Sequence, residues 1–169
     1  MKRPLAVDRP EPGDVLVHLA SRYSVSPKHL EAPAPGPAEL MRAAALALRA
    51  PDHEALRPYR FVLIAAHQRA RLGELYALGA RRRGCDEADV QRARERAHNG
   101  PCLLALVGRF EDGALEVPAR DQWLCAGAAL MNFLNALHLM GYGAKVLGGA
   151  SIDDEDVQQA FCTPGEALL

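Results

Sequence analysis

The stretch from Trp123 to Ala150 constrains the fold more than any other part of the chain, because it contains no acidic residue and only one full positive charge, Lys145. Its first part is apolar on all sides at helical spacing, and helices of that kind are buried on every side. Two asparagines and His138 lie in its middle, where they would be costly against lipid. We therefore predict a long buried helix and not a membrane span.

The length of the chain limits how that helix can be covered. A chain of 169 residues can form a substantial core, but it can seldom surround a helix as long as the one predicted from Asp121 to Met140. We expect a second copy of the chain to cover the remaining side. A central helix in the core of a monomer is the alternative that the sequence leaves open.

The charge and the cysteines exclude several classes of function. The formal net charge is −1, so no overall field favours nucleic acid or acidic membranes. Arg81, Arg82 and Arg83 are followed by acidic residues, as at a solvated helix end. The four cysteines include no Cys-x-x-Cys pair, which predicts neither a zinc site nor a disulfide framework. Reduced thiols indicate a cytoplasmic protein without a structural metal.

The first residues differ in composition from the rest. Residues 1–13 begin with basic side chains, continue with prolines and acids, and lack the apolar segment of a signal peptide. We predict a loose N-terminal leader over residues 1–13 and a single domain over residues 14–169.

Hydrophobic periodicity and turn residues predict the order of the elements. We predict helices over about 14–21, 38–48, 68–83, 86–98, 121–140 and 153–161, and strands over about 59–66, 101–108 and 143–150. The order lacks the strict alternation of a doubly wound fold, and no strand leads into a glycine-rich turn. The predicted class is α+β, with a small mixed or antiparallel sheet packed between helices.

Two loops carry most of the residues that can bind a ligand. Arg22, Tyr23 and Ser24 follow the first helix, and an arginine with a hydroxyl two residues later suits a phosphate monoester. Arg49 and His53 precede the first strand in "RAPDHEALRPYRFVLI". Plainer explanations exist for the first loop, whose side chains can satisfy the carbonyls at the end of a helix. In the second loop, Arg49 can simply interact with the dipole at the C-terminus of its helix. His53 can be a surface imidazole in a turn formed by Asp52.

Taken together, these segments resemble the FMN-dependent nitroreductase family, and above all its small bacterial NAD(P)H nitroreductase branch. "RAPDH" before a proline–aromatic pair is the most specific motif, and "RYS" after the first helix supports it. "DQWLCAGAALMNFLNALHLMGYGAKVLGGA" is similar to the family's long dimer-interface helix, its Gly-aromatic-Gly turn and the strand that follows. The resemblance extends over residues 15–169.

The resemblance implies a homodimer with a nitroreductase-like fold and two flavin sites where the subunits meet. By position, the first loop would hold the phosphate and ribityl region of FMN, and the second loop would line the flavin pocket. The third predicted strand would pass close to the cofactor. The implied cofactor-binding residues are Arg22, Tyr23, Ser24, Arg49, His53, Val146, Leu147 and Gly148.

The activity implied is the reduction of nitroaromatics, quinones or similar electron-poor acceptors by NADH or NADPH, with the two substrates reacting in turn. The flavin carries that chemistry, so no catalytic side chain is expected, and the sequence offers no convincing triad or carboxylate pair. Two other classes stay open, namely a flavin-binding protein without turnover and an interaction protein that has lost its cofactor.

Three positions depart from the family pattern. Arg57-Pro58-Tyr59 stands where the branch has proline–tryptophan, so the pocket wall is altered but still aromatic. Val146-Leu147-Gly148 replaces residues that often present polar side chains to the flavin, and can offer only backbone groups and packing. The chain ends at "FCTPGEALL", where family members continue into another strand and tail. We therefore expect the last strand to be missing or short.

Overall fold

The computed structural model describes residues 12–110 and 117–169. The helices are α1 (Pro12–Ala20), α2 (Pro37–Ala47), α3 (Arg69–Arg82), α4 (Glu87–Arg96), α5 (Ala119–Leu139) and α6 (Glu155–Phe161). The strands are β1 (Tyr59–Leu63), β2 (Leu104–Arg109) and β3 (Glu166–Leu168), and single 3-10 turns cover Pro27–His29, His53–Ala55 and Ala66–Gln68.

Local sequence signals explain where several helices begin. Asp86 caps α4 by accepting a hydrogen bond from the Asp89 backbone N–H at 2.7 Å, and Asp154 caps α6 through the Asp156 N–H at 3.2 Å. Before α2, the Glu39 carboxylate accepts the Gly36 N–H at 2.7 Å. Such caps satisfy amide donors that the first turn of a helix leaves without partners.

The three strands form one antiparallel sheet in the order β1-β2-β3. Tyr59 pairs with Gly108 at one end of the β1–β2 ladder and Leu63 pairs with Leu104 at the other. The short β3 pairs only with the end of β2, from Val107 to Arg109. The α+β class with a small sheet between helices is therefore confirmed.

Helices cover the two faces of the sheet with separate hydrophobic clusters. On one face, α2 and α5 enclose Ala47, Ala129 and Phe133, and Phe61 of β1 stacks on Phe133 with ring centroids 4.3 Å apart. On the other face, side chains of α3 and α6 pack with Val107 of β2. The outer side of α3 packs against α4 in a third cluster. Strand alternation separates the clusters, because successive side chains point to opposite faces.

The predicted strand over residues 143–150 is wrong. In this segment only Ala144 forms a β-bridge, parallel to Ser24, and the third strand of the sheet is Glu166–Leu168. Gly141 and Gly149 have φ of 89° and 103°, in the left-handed region that glycine adopts without strain and a strand does not use. The glycines thus keep this apolar segment irregular.

Within one chain, the predicted long helix is buried on one face and not on every side. One face of α5 packs in the core through Cys125, Ala129 and Phe133, while Trp123 and Leu124 are exposed. At the N-terminus, α1 begins at Pro12, two residues before the predicted start. The predicted leader falls mostly on residues 1–11, which lie outside the described residues.

Candidate functional site

A cavity of about 810 Å³ lies beside the C-terminal half of α5. Its walls come from the end of α1, the loop that follows it, the segment after α5 and two strands of the sheet. Most of the wall is apolar, and includes Phe61, Leu104, Phe133 and Leu137. The volume falls in the range of pockets that enclose a cofactor or a small ligand, roughly 300–1,000 Å³.

The two segments at the mouth of this cavity are joined to each other. Ser24 and Ala144 form the parallel bridge, and the Val25 N–H donates to the Ala144 carbonyl at 3.2 Å. Close to that bridge, the Cβ of a residue replacing Gly143 would lie 3.1 Å from the Val25 side chain. This contact sets Arg22 and Tyr23, on one segment, beside Val146 and Leu147 on the other.

Two positive side chains, Arg22 and Lys145, line the cavity and have no acidic partner among the described residues. Arg22 is half-buried and Lys145 is exposed, and both line the cavity. Within residues 12–110 and 117–169, neither side chain forms an ion pair. Because Glu31 is the one acidic residue among the described lining residues, the site favours an anionic group on its ligand.

The structure brings half of the predicted binding residues to this cavity. Arg22, Tyr23, Val146 and Leu147 line it. Ser24 is tied to it through the backbone bridge to Ala144, while Gly148 lines a neighbouring cavity of about 370 Å³. Arg49 and His53 line neither cavity.

The loop that carries Arg49 and His53 packs against the other half of α5. In this loop Glu54, Ala55 and Arg57 have φ of 60°, 54° and 49°, a left-handed conformation that is uncommon for residues other than glycine. The Asp52 carboxylate accepts the Arg57 backbone N–H at 2.9 Å and so closes the turn. His53 is exposed, with its imidazole 3.9 Å from the Glu54 carboxylate.

Asp52 also contacts α5 near its N-terminal end. Burial, with the Asp52 carboxylate beside it, raises the pKa of the Cys125 thiol to about 11. The first α5 residue that lines the cavity, Leu130, is five residues from Cys125, which corresponds to roughly 8 Å at the rise of an α-helix. Within one chain, the Arg49–His53 loop is therefore separated from the cavity along the helix.

The structure agrees with the plainer explanation at the second loop and not at the first. At the end of α1, the His18 carbonyl is satisfied by Ser21 and His138, and no side-chain hydrogen bond of Arg22 or Ser24 to the helix is present in the described residues. At the second loop, His53 is a surface imidazole within one chain, as the plainer explanation predicts.

Other residues of the cavity were not identified from the sequence. His18, His138 and Tyr142 line it, as does Lys145. The signal for Lys145 is its position as the only full charge from Trp123 to Ala150. Lys28, which follows the Arg22 loop, lines the neighbouring cavity. Tyr59 lies outside the main cavity, where its hydroxyl donates to the Ala47 carbonyl at 3.0 Å.

The described residues contain neither a cluster of metal ligands nor a helix suited to span a membrane. Among them, no three His, Cys, Asp or Glu side chains are grouped as metal ligands. None of the helices in the described ranges combines the length and the hydropathy needed to cross a membrane.

Comparison with known proteins gives consistent matches. The sequence profile of the Nitroreductase family matches residues 19–169. A protein of Escherichia coli (strain K12) named "Putative NAD(P)H nitroreductase YdjA" is 30% identical over 148 residues, which cover 88% of this chain and 79% of that protein. The resemblance that the "RAPDH" and "RYS" motifs indicate is confirmed by these matches.

Solved structures share the fold at lower identity. A nitroreductase-like family protein from Bacillus cereus has a TM-score of 0.77 at 15% identity, covering 96% of this chain and 84% of that one. A nitroreductase with bound FMN from Desulfitobacterium hafniense DCB-2 has a TM-score of 0.62 at 18% identity, covering 92% of this chain and 84% of that one. At these identities the structural matches establish the fold.

Proposed function

The chain belongs to the nitroreductase family, and from that premise we propose that it is an FMN-dependent oxidoreductase in which NADH or NADPH reduces small electron-poor acceptors such as nitroaromatics and quinones. Its relative in Escherichia coli carries NAD(P)H nitroreductase in its name, and the Desulfitobacterium structure contains FMN. We expect it to act in the cytoplasm, on the strength of its cysteine pattern.

One observation carries the proposal. Arg22 lies at the rim of a cavity with apolar walls, and in the described part of the chain its guanidinium has no acidic partner. An uncompensated arginine favours a phosphate group, which its planar fork can bind through two hydrogen bonds. The apolar walls suit a flat aromatic ring system. FMN combines these two features in one molecule.

The residues present fit the cofactor in part. Arg22 and Tyr23 would hold the phosphate and ribityl region, with Ser24 next to them. When bound, FMN supplies the hydride chemistry that no side chain of the protein can perform. Val146 and Leu147 would pack on the ring system, and the apolar walls would exclude water from it. A second substrate would enter the same space after the first has left, so the two react in turn.

Lys145 supplies a charge that Val146, Leu147 and Gly148 cannot. Two-electron reduction places negative charge on the pyrimidine edge of a flavin, and a nearby cation stabilises that charge. The three residues after Lys145 offer no polar side chain, while Lys145 lines the cavity without an ion pair among the described residues. It is the cation that this segment can offer.

We also propose that two copies of the chain form each site. The outer side of α1, α2 and α5 exposes Leu16, Met41 and Leu124, whose exposed fractions are 65%, 70% and 71%. Exposed apolar residues concentrated on one face indicate a protein interface. A two-fold axis at α5 would set the N-terminal half of one α5 against the C-terminal half of the other. Arg49 and His53 of one subunit would then complete the cavity of its partner.

A second candidate is a flavin-binding protein without turnover. The Val146-Leu147-Gly148 segment favours it, because side chains that normally tune the flavin are replaced by apolar ones. Both candidates require bound FMN, and they differ in the response to a reductant.

The visible spectrum of the purified protein separates the candidates. The proposed enzyme is yellow and loses its flavin absorbance when NADPH or NADH is added without oxygen, then regains it when a quinone or nitroaromatic is added. A yellow protein that neither nucleotide reduces would be the binding protein. A colourless protein whose melting temperature FMN does not raise would contradict both.

A pair of variants tests the role of Arg22. Arg22→Ala removes the cation at the rim of the main cavity, and Lys28→Ala removes one that lines the neighbouring cavity. We expect FMN affinity to fall about a hundredfold in the first variant, as for loss of a bidentate contact to phosphate, and to stay near the parent value in the second. Equal occupancy in both variants would remove Arg22 from the site.

A further inference from the structure

His138 connects the end of α5 to the end of α1. Its Nε2 atom lies 2.8 Å from the His18 carbonyl oxygen and 3.0 Å from the Ser21 hydroxyl oxygen. A carbonyl can only accept a hydrogen bond, so Nε2 carries the hydrogen and donates it. The imidazole thus binds a chain segment that is 120 residues away in the sequence.

The acceptor is a carbonyl in the last turn of α1, where intrahelical donors run out. Besides His138, the His18 carbonyl accepts the Ser21 hydroxyl at 2.7 Å and the Ser21 backbone N–H at 3.1 Å. Three donors therefore meet at one oxygen in the last turn of the helix. One of the three comes from another element, and that is the histidine.

Few other contacts hold α1 in place within one chain. None of its residues from Gly13 to Ala20 is buried, and Leu16 and Val17 expose about two thirds of their surface, at 65% and 68%. A helix with so little buried apolar area belongs to the least stable part of a structure. Within one chain, the hydrogen bond from His138 therefore contributes more to the position of this last turn than a single hydrogen bond would in a well-packed helix.

Arg22 follows that turn directly. The Arg22 backbone N–H donates to the Leu19 carbonyl at 3.3 Å, so the arginine continues from the helix end that His138 holds. We propose that His138 is a positioning residue that fixes the last turn of α1 on α5 and thereby sets Arg22 at the rim of the cavity. The inference rests on the proposed function, in which Arg22 binds the phosphate of FMN.

The phosphate distinguishes this role from a general contribution to folding. Riboflavin has the ring system and ribityl chain of FMN but no phosphate group. A displaced Arg22 weakens the binding of FMN and leaves riboflavin unaffected, whereas a distorted cavity weakens both. The ratio of the two affinities therefore reports the position of the arginine.

The test uses two substitutions of His138 and a matched control. His138→Leu removes the N–H donor and puts an apolar side chain of similar size in its place, whereas His138→Gln keeps a donor. His98→Leu makes the same change at an exposed histidine that follows α4 and lines none of the cavities described above. Flavin fluorescence is titrated with the cofactor-free form of each full-length protein, using FMN and riboflavin in turn.

We expect His138→Leu to bind FMN roughly tenfold more weakly, as for the loss of one or two hydrogen bonds, with riboflavin affinity unchanged. His138→Gln recovers most of the affinity, and His98→Leu matches the parent protein. Equal losses for FMN and riboflavin, or no loss for either, would overturn the inference. Ser21→Ala, which removes one partner of the imidazole, gives a smaller loss in the same direction and replaces His138→Leu if that variant does not fold.

Amide hydrogen exchange gives a readout that needs no flavin. We expect the amides of residues 21–24 to exchange faster in His138→Leu than in the parent protein, while the amides of β1 and β2 stay unchanged. If the parent protein binds neither flavin, the proposed function fails. In that case the exchange rates still test whether His138 anchors the last turn of α1. Equal rates in the parent protein and the variant would contradict that anchoring.

Discussion

The two helical layers differ in what they present outward. The layer of α3, α4 and α6 carries ion pairs across its surface, such as Arg94 with Glu74 and Arg82 with both Asp154 and Asp156. The layer of α1, α2 and α5 exposes large apolar side chains instead. Exposed ion pairs add little stability but keep a surface solvated, so the first layer faces water. The second layer has the composition of a surface that a partner covers.

The comparison also separates the two halves of the proposed site. The cavity with Arg22 lies beside the C-terminal half of α5, and the loop with Arg49 and His53 packs on the N-terminal half. Within one chain these parts do not meet. The cavity and the Arg49–His53 loop therefore lie at opposite halves of α5, the helix that also exposes apolar side chains. This arrangement is expected if a partner chain brings its own loop to the cavity.

The largest effect is expected from a charge on the apolar layer. Leu124→Glu places a carboxylate on the exposed face of α5, where dimer formation would bury it without a partner at a cost of several kcal/mol. We predict a monomer that has lost FMN, measured by light scattering coupled to gel filtration. Leu78→Glu makes the same change on α3, in the solvated layer, and is predicted to leave the mass unchanged. Equal masses for the two variants would remove the difference between the layers.

A glycine in each layer tests packing on a smaller scale. Gly79 of α3 faces the Asp154 carboxylate, and an added methyl group would overlap it. We predict that Gly79→Ala lowers the free energy of unfolding by about 2 kcal/mol, the usual cost of overpacking, measured by urea denaturation. In the described part of one chain, an added Cβ at Gly127 of α5 meets nothing within 4 Å, so Gly127→Ala is predicted to gain helix propensity and not to lower the free energy of unfolding. A stable Gly79→Ala variant would contradict the close packing of α3 on Asp154.

How far the sequence predicts this structure depends on the type of signal. β1, β2 and α5 were predicted because continuous apolar runs and helical periodicity mark them directly. β3 was missed because three residues, Glu166–Leu168, show no alternation. The residues from Ala144 to Leu147 were predicted as a strand because they are mostly apolar. The sequence does not show that the neighbouring glycines adopt a left-handed φ, which interrupts a strand.

The sequence predicts residue types for the candidate site but does not predict how the structure arranges them. "RYS" indicates an anion-binding arginine, and within the part of the chain that the structure describes Arg22 has no acidic partner. No sequence pattern shows that Asp52 fixes its loop on the far half of α5, or that Glu54, Ala55 and Arg57 are left-handed. The link between His138 and His18 spans 120 residues and matches no local motif.

The ion pair between Arg60 of β1 and Glu166 of β3 predicts a pH dependence of stability. The Arg60 guanidinium, together with the Thr163 backbone N–H, lowers the pKa of Glu166 from 4.5 to about 2. A lowered folded-state pKa stabilises the protein above the unfolded-state value, and that contribution is lost as the pH falls from 4.5 towards 2. We predict that Glu166→Gln lowers stability at pH 7 and flattens its decline over this acid range, followed by thermal unfolding. A parallel decline in parent and variant would contradict the assignment.

Thiol reactivity gives the smallest effect. The Cys125 pKa of about 11 results first from burial, so the thiol stays protonated and inert at pH 8. Cys85 is exposed on the solvated side. A disulfide reagent is predicted to label Cys85 within the native protein and Cys125 only after unfolding, as measured by mass spectrometry of peptides. Labelling of Cys125 in the native state would show that α5 opens at the Asp52 contact.

Subunit complementation tests the shared site most directly. Arg22→Ala and Arg49→Ala are purified separately, unfolded together in equal amounts, refolded and titrated with FMN. If each site takes Arg22 from one subunit and Arg49 from the other, each mixed dimer has one intact site, so about a quarter of all sites regain the parent affinity. Either variant refolded alone regains none. A mixture that binds no more FMN than the separate variants would contradict the account.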